Sequence, residues 1–209
     1  VSVACLSPRK TAAFVRARYN PSDERLRASA VGAGEGRIMD AKVAKLINEQ
    51  INAEFYSAYL YLSFADYYEE AGLKGYANYY MIQAKEERDH ALIFRNYMHD
   101  NGEKITLTAI AEPECAFEDY LAPLTAALTH EKYVTALING IYAAAEDVKD
   151  YRTINFLKWF VDEQLEEEAN ADDMITRMKL FGGDAKALYD LDQEYASRTY
   201  ATPAPLVVA

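Results

Sequence analysis

Glu87-Arg88-Asp89-His90 sets a carboxylate and an imidazole three residues apart. On a helix, side chains at that spacing leave one face and can hold the same cation. One such tetrad is common by chance. Its weight comes from Glu54, Glu131, Gln164 and Glu167, which fall on the apolar stripes of three other segments. A buried carboxylate with no partner is very costly, so it neutralises or acquires a counter-charge. No Lys or Arg lies on these stripes to supply one. Several buried carboxylates at one level, with a His among them, therefore point to bound cations. Oxygen donors with one imidazole suit iron or manganese better than a structural zinc site.

These residues need long helices to position them, and the chain has the composition for that. It has 209 residues, 51% of them hydrophobic, with only 9 Gly and 6 Pro. Few breakers argue for helices and against a sandwich of short strands. Asp40 can cap a helix running to about Glu70, stopped by Ala71-Gly72. A second helix is expected from about Lys74 to His99, stopped by Asp100-Asn101-Gly102. A third runs from near Tyr120 to near Val148, with Pro123 tolerable in its first turn. A fourth runs from about Asp150 to Leu180, ahead of Gly182-Gly183, and Asp184 caps a short fifth to about Ser197. Residues 201–209 are expected to fray.

The fold class is thus all-α: a four-helix bundle with one long crossover connection and a short fifth C-terminal helix. The short first-to-second and third-to-fourth turns make those pairs antiparallel neighbours. Residues 103–119 carry Pro113 and no helical period, and are long enough to travel the length of the bundle. Core positions of such helices alternate in steps of three and four. The first seam reads Val43, Ile47, Ile51, Glu54, Ala58, Tyr61, Ala65. The second reads Tyr76, Tyr80, Gln83, Glu87, His90, Phe94, Tyr97. The third reads Leu124, Leu128, Glu131, Thr135, Ile138, Tyr142, and the fourth Thr153, Leu157, Phe160, Gln164, Glu167, Ala171, Met174, Met178. Slipping any seam to expose its Glu would also expose Leu, Ile or Tyr.

Charge divides the chain. Residues 1–38 hold seven Lys or Arg against three acids; residues 39–209 hold 15 against 30. The acidic body speaks against nucleic-acid binding, which rests on cations that neutralise phosphates. No stretch approaches the 18 consecutive apolar residues of a membrane span. Two distant cysteines, Cys5 and Cys115, make no disulfide framework and no CxxC, so a reducing, cytoplasmic compartment fits. The basic segment 1–38 lacks apolar periodicity and is expected to be disordered. Three readings stay open for it: a transit peptide, a basic arm, or in-frame upstream sequence ahead of a start at Met39.

The ordered motifs resemble the ferritin family, specifically the non-haem bacterial ferritins. The resemblance runs through Leu46 to Tyr61, with Glu54 inside it, then Glu86-Glu87-Arg88-Asp89-His90-Ala91, then His130-Glu131, then Trp159 to Glu168. It covers residues 39–200 in order and spacing, and leaves 1–38 without a counterpart. It implies that Glu54, Glu87 and His90 hold one iron, and that Glu87 bridges to a second held by Glu131, with Gln164 beside it. Glu86, Glu163, Glu166 and Glu167 resemble a third iron site; Glu86, Glu163 and Glu166 otherwise read as an ordinary acidic face. Tyr61 resembles the tyrosine beside the di-iron centre, or simply packs with its hydroxyl bonded. Trp159 can supply an electron, or is core. His99 and His130 read as surface or terminal residues.

Two departures matter. Haem-binding members carry Met inside the Glu-x-x-His where this chain has Arg88, so no haem is expected. They also carry a second Glu-x-x-His where this chain reads Gln164-Leu165-Glu166-Glu167. Losing that His weakens the second site, so iron leaves it more readily, which suits storage. The resemblance thus implies an iron-storage protein with ferroxidase activity. Fe²⁺ is oxidised by O₂ or H₂O₂ at a di-iron centre, and ferric oxyhydroxide is held in a hollow homo-oligomeric shell of 24 subunits. Leu188 and Leu191 of the fifth helix are expected to face neighbours at a fourfold contact. The enzyme rival is a rubrerythrin-like di-iron oxidase or peroxidase without mineral storage, which needs a CxxC electron-delivery module that this sequence lacks. The binding rival is a DNA-protecting mini-ferritin, whose iron ligands lie between subunits and which lacks the fifth helix.

Overall fold

The computed structural model describes residues 39–113 and 115–207. The expectations for residues 1–38 lie outside the described residues. Six helices follow in order: α1 (Ala41–Glu70), α2 (Lys74–Asp100), α3 (Ala122–Asp147), α4 (Tyr151–Phe181), α5 (Ala185–Ala196) and α6 (Ala204–Val207). Helix starts follow local chemistry. Asp40 accepts from the amides of Lys42 and Val43, Asp150 from Thr153, and Asp184 from Ala187. Each carboxylate satisfies N–H groups that a helix start leaves unpaired. Gly72 closes the α1–α2 turn at φ 81°, a left-handed conformation that side chains resist.

α1 packs on α2, α3 on α4, and α1 also on α3. The connection between α2 and α3 runs along α1. Asn48 exchanges hydrogen bonds with the Thr106 backbone (2.8 and 2.9 Å), and Asn52 donates to the Ala109 carbonyl (3.2 Å). Farther on, Phe117 meets Phe64 and Tyr67, and Tyr68 donates to the Tyr120 carbonyl at 2.6 Å. The crossover therefore travels the length of the bundle, as its residue count requires.

The core is divided. One apolar cluster holds Val43, Ile47, Ile51, Phe94, Ile138, Leu157 and Phe160, with Phe94 and Phe160 stacked at 4.1 Å. The other holds Tyr61, Phe64, Tyr68, Tyr76, Tyr80, Leu124 and Met174. On every long helix buried polar residues fall between the two: Glu54 on α1, Glu87 and His90 on α2, Glu131 on α3, Gln164 and Glu167 on α4. Large buried side chains stabilise by about 1.5–3 kcal/mol each. The two clusters thus hold the bundle and fix the polar layer between them.

Some seam positions depart from expectation. Ala58, Tyr97, Leu128, Thr135 and Tyr142 are half-buried, and Ser57 takes the fully buried place beside Ala58. Straight helices drift against a strict seven-residue repeat, so the buried stripe shifts along the bundle. The expectation for α5 is corrected at Leu191. Leu191 is buried and Leu188 packs beside it against this chain's own aromatic cluster. Asp192 of α5 accepts from the amides of Gly75 (2.7 Å) and Tyr76 (3.1 Å), capping α2 from outside. A Cβ on Gly75 would lie 1.6 Å from the Asp192 carbonyl oxygen, so this contact requires glycine. Residues 204–207 form a helical turn, and Leu206 packs against the Phe94 cluster.

Candidate metal centre

Four helices deliver the polar layer, because each seam turns one carboxylate or amide inward at mid-length. Glu54, Glu87 and His90 are all buried, and each offers a ligand atom within 4.8 Å of the others. Among the described residues this is the one such group of His, Cys, Asp and Glu. His90 Nδ1 lies 3.6 Å from Glu87 Oε2. Gln50 Nε2 donates to Glu54 Oε1 at 2.9 Å. Glu54 Oε2 and His90 Nε2 are buried with no hydrogen-bond partner. Buried polar atoms without a partner are uncommon in packed interiors, and carboxylate oxygens with one imidazole fit a hard or borderline cation.

Glu131, Gln164 and Glu167 form a second group with a different character. Tyr61 donates its hydroxyl to Glu131 Oε1. Gln164 Nε2 donates to Glu131 Oε2 at 3.0 Å, and Gln83 Nε2 donates to Glu167 Oε2 at 2.8 Å. Here neutral donors already occupy carboxylate oxygens.

Electrostatics follow burial. Desolvation pushes the Glu54 carboxyl well above the usual range, and the nearby Glu87 adds to it. Desolvation likewise raises Glu87, with Glu131 and Glu167 as repelling neighbours. Glu131 is raised by burial, against the lowering pull of its Tyr61 and Gln164 hydrogen bonds. Burial, then the charge of Glu131, pushes Glu167 up to about 8. Burial raises the Tyr61 phenol well above its ordinary value, so it remains a hydrogen-bond donor at neutral pH. Carboxyls crowded in this way hold protons until a cation replaces them.

The remaining sequence-predicted residues divide. Glu163 is half-buried, with Oε1 3.9 Å from His90 Nε2, and Glu86 is half-buried on α2. Burial raises both carboxyls; His90 is the first opposing influence at Glu163, and Arg198 at Glu86. Glu166 is exposed, although its charge reaches Glu163. Trp159 is half-buried with its ring 5.4 Å from His90. His99 is exposed, but His130 is buried, and its Nε2 is 2.7 Å from Ser57 Oγ. Burial drives His130 down to about 4, so the ring is neutral at neutral pH. Sequence reading put His130 on the surface because it stands one residue off the seam. The supporting amides were also missed as site residues, although Gln50 and Gln83 lie four residues before Glu54 and Glu87, on the same helix faces.

A four-helix bundle with a carboxylate-rich layer at mid-length defines a class, and sequence comparison agrees. A ferritin-like domain model matches residues 44–181. The chain belongs to the ferritin family. It is 37% identical over 163 residues to the bacterial non-heme ferritin of Staphylococcus saprophyticus, covering 78% of this chain and 98% of that protein. The bacterial non-heme ferritin of Staphylococcus aureus strain MRSA252 is 34% identical over the same coverage. Among solved structures, an engineered closed form of the Archaeoglobus fulgidus ferritin superposes with a TM-score of 0.76 at 40% identity. That match covers 78% of this chain and 99% of the other. The open-pore ferritin of the same archaeon gives 0.76 and 40%, over 78% and 100%. No helix among the described residues is long and apolar enough to cross a membrane.

Proposed function

We propose that this protein stores iron and oxidises Fe²⁺ as it enters. Glu54, Glu87 and His90 bind one Fe²⁺, and Glu87 bridges to a second held by Glu131 with Gln164 and Glu167. Two adjacent Fe²⁺ give one electron each to a single O₂, which leaves as H₂O₂ with two protons; H₂O₂ can itself serve as the two-electron oxidant. Pairing the metals avoids releasing a one-electron radical. Tyr61, donating to Glu131, holds that carboxylate in position and is the phenol best placed to give up an electron. The two apolar clusters exclude water from the layer and keep its electrostatics strong.

Fe³⁺ then leaves by way of Glu86, Glu163 and Glu166, which form a third position, and hydrolyses to ferric oxyhydroxide inside a 24-subunit shell. The acidic body concentrates Fe²⁺ and supplies nucleating carboxylates. The observation that carries this reading is the buried group Glu54, Glu87 and His90, whose ligand atoms lie within 4.8 Å of one another and whose Glu54 Oε2 has no hydrogen-bond partner, in a chain of the ferritin family.

The test is anaerobic Fe²⁺ addition followed by air, on assembled protein of measured mass. About two irons per chain are expected to oxidise fast, and many more to be retained as mineral. Glu87→Ala should slow the fast phase by more than about a hundredfold, beyond what outer-sphere changes cost. Oxidation without retained mineral in a small oligomer would instead establish the rubrerythrin-like oxidase. Unchanged kinetics in Glu87→Ala would remove the site assignment.

A further inference from the structure

The segment after α5 turns back along α2 and is tied down at several points. Asn78 Nδ2 donates to the carbonyls of Tyr195 (3.3 Å), Ala196 (3.5 Å) and Arg198 (3.0 Å). Tyr200 donates its hydroxyl to the buried carboxylate of Asp89. Between these ties sits Arg198. Its guanidinium lies 4.2 Å from the centre of the Tyr79 ring and donates to the Tyr79 carbonyl at 3.2 Å. Its other terminal nitrogen donates to Glu86 Oε2 at 2.7 Å. The pair is largely shielded, at 26% and 17% side-chain exposure. This is a stacked, hydrogen-bonded cation rather than a loose surface pair.

We propose that Arg198 is a built-in competitor for metal at the Glu86–Glu163 position. This rests on the reading of those carboxylates as a third iron position. A cation bound there needs the Glu86 oxygen that the guanidinium now holds, and two cations cannot share that oxygen without repelling each other. Arginine does not give up its charge near neutral pH, so the competitor leaves only if the strap moves. The Arg198 charge also acts on Glu163 and Glu167, so withdrawing it makes the whole exit side of the centre more attractive to a cation. Third-position filling and loosening of residues 197–200 are therefore one event. Arg198 is a positioning residue: it sets when Glu86 is available and takes no part in the oxidation.

Zinc binding at equilibrium tests this on the intact assembled protein, because Zn²⁺ occupies carboxylate sites without redox chemistry. In Arg198→Gln the third zinc per chain should bind about tenfold tighter than in wild type, the scale of one charge-assisted hydrogen bond. Arg198→Lys keeps the charge and should stay near wild type. Adding Glu86→Gln to Arg198→Gln should abolish the gain. In wild type, hydrogen exchange across residues 195–202 should rise as the third zinc binds, which reads the strap even where a variant assembles poorly. A third zinc of equal affinity in wild type and Arg198→Gln would overturn the competitor alone. No third zinc in either protein would overturn the third position itself, and the competitor with it. Unchanged exchange on filling would likewise overturn the proposed coupling.

Discussion

The two halves of the polar layer are built from similar residues and left in different states. Around Glu54, Glu87 and His90, one amide hydrogen bond supports Glu54, and Glu54 Oε2 and His90 Nε2 have no hydrogen-bond partner. Around Glu131 and Glu167, a phenol and two amides donate to the carboxylates. Burial raises every one of these carboxyls. In the first half Glu54 keeps one oxygen open to a cation, whereas in the second protein donors hold carboxylate oxygens that a cation must compete for, and the oxygen left unpartnered there belongs to the Gln83 amide. Under the proposed function the difference predicts an order: the first position should fill first and hold metal more firmly, and the second should be easier to empty.

The largest expected effect comes from attacking each half in turn. Glu54→Gln should weaken the first metal by more than about a hundredfold, since it removes a ligand charge rather than an outer-sphere support. Glu131→Gln should leave the first metal within about tenfold of wild type and abolish the second. Zinc titration followed by calorimetry reads both steps. Equal losses at both steps in both variants would mean that the halves act as a single unit. The converse change, Gln164→Glu with Glu167→His, installs a second Glu-x-x-His and should make the second metal slower to leave.

Next in size is the pH dependence of the metal-free protein. Burial holds a proton on Glu167 up to about pH 8, whereas the unfolded chain releases it near 4.5. The folded state then binds the extra proton, so stability falls as pH rises through that window. One such group contributes about 2 kcal/mol between pH 5 and pH 7. Thermal unfolding of chelator-treated protein should show this slope, Glu167→Gln should flatten it, and added zinc should reverse it. A metal-free protein whose stability rises from pH 5 to pH 7 would show that the carboxyls of the layer are not protonated together.

The layer was legible in sequence because its polar residues obey the helical period. Glu54, Glu87, His90, Glu131, Gln164 and Glu167 interrupt apolar seams whose flanking residues leave no freedom to turn them outward. Asp40, Asp150 and Asp184 marked helix starts for an equally local reason. What stayed hidden depends on partners far apart in the chain. Arg198 reads as one more surface cation until α5 folds back and sets it on Glu86, 112 residues away. His130 stands off the seam, and its burial beside Ser57 requires the α1–α3 contact. Leu191 read as a subunit contact, because α5 alone gives no sign that Asp192 will cap α2.

Stability without metal gives a smaller but independent contrast. Glu54→Gln replaces a carboxyl that has an unpaired buried oxygen and is pushed up by burial and by Glu87. It should stabilise the metal-free protein by about 1–3 kcal/mol, the cost of one unsatisfied buried group. Glu131→Gln replaces the acceptor of Tyr61 and Gln164 with a group that offers one acceptor oxygen instead of two. It should destabilise by about 1 kcal/mol. Denaturant unfolding in chelator measures both, and opposite signs are the expected outcome. If both variants stabilise, the donors around Glu131 do not offset its burial.

The smallest expected effect isolates the single support of the first half. Gln50 donates to Glu54 Oε1, leaving Oε2 as the atom with no partner. Gln50→Ala removes no ligand and no charge, so the first metal should still bind, about tenfold more weakly, because Glu54 must now be ordered as the metal arrives. Gln83→Ala removes the matching donor from Glu167. There a donor competes with metal for the carboxylate, so its loss should leave second-metal affinity unchanged or raise it. The two truncations are alike in chemistry and lie on equivalent faces of neighbouring helices. Opposite effects on affinity would establish that one amide positions a ligand and the other occupies one; equal weakening by both would mean that the halves differ only in how many donors they carry.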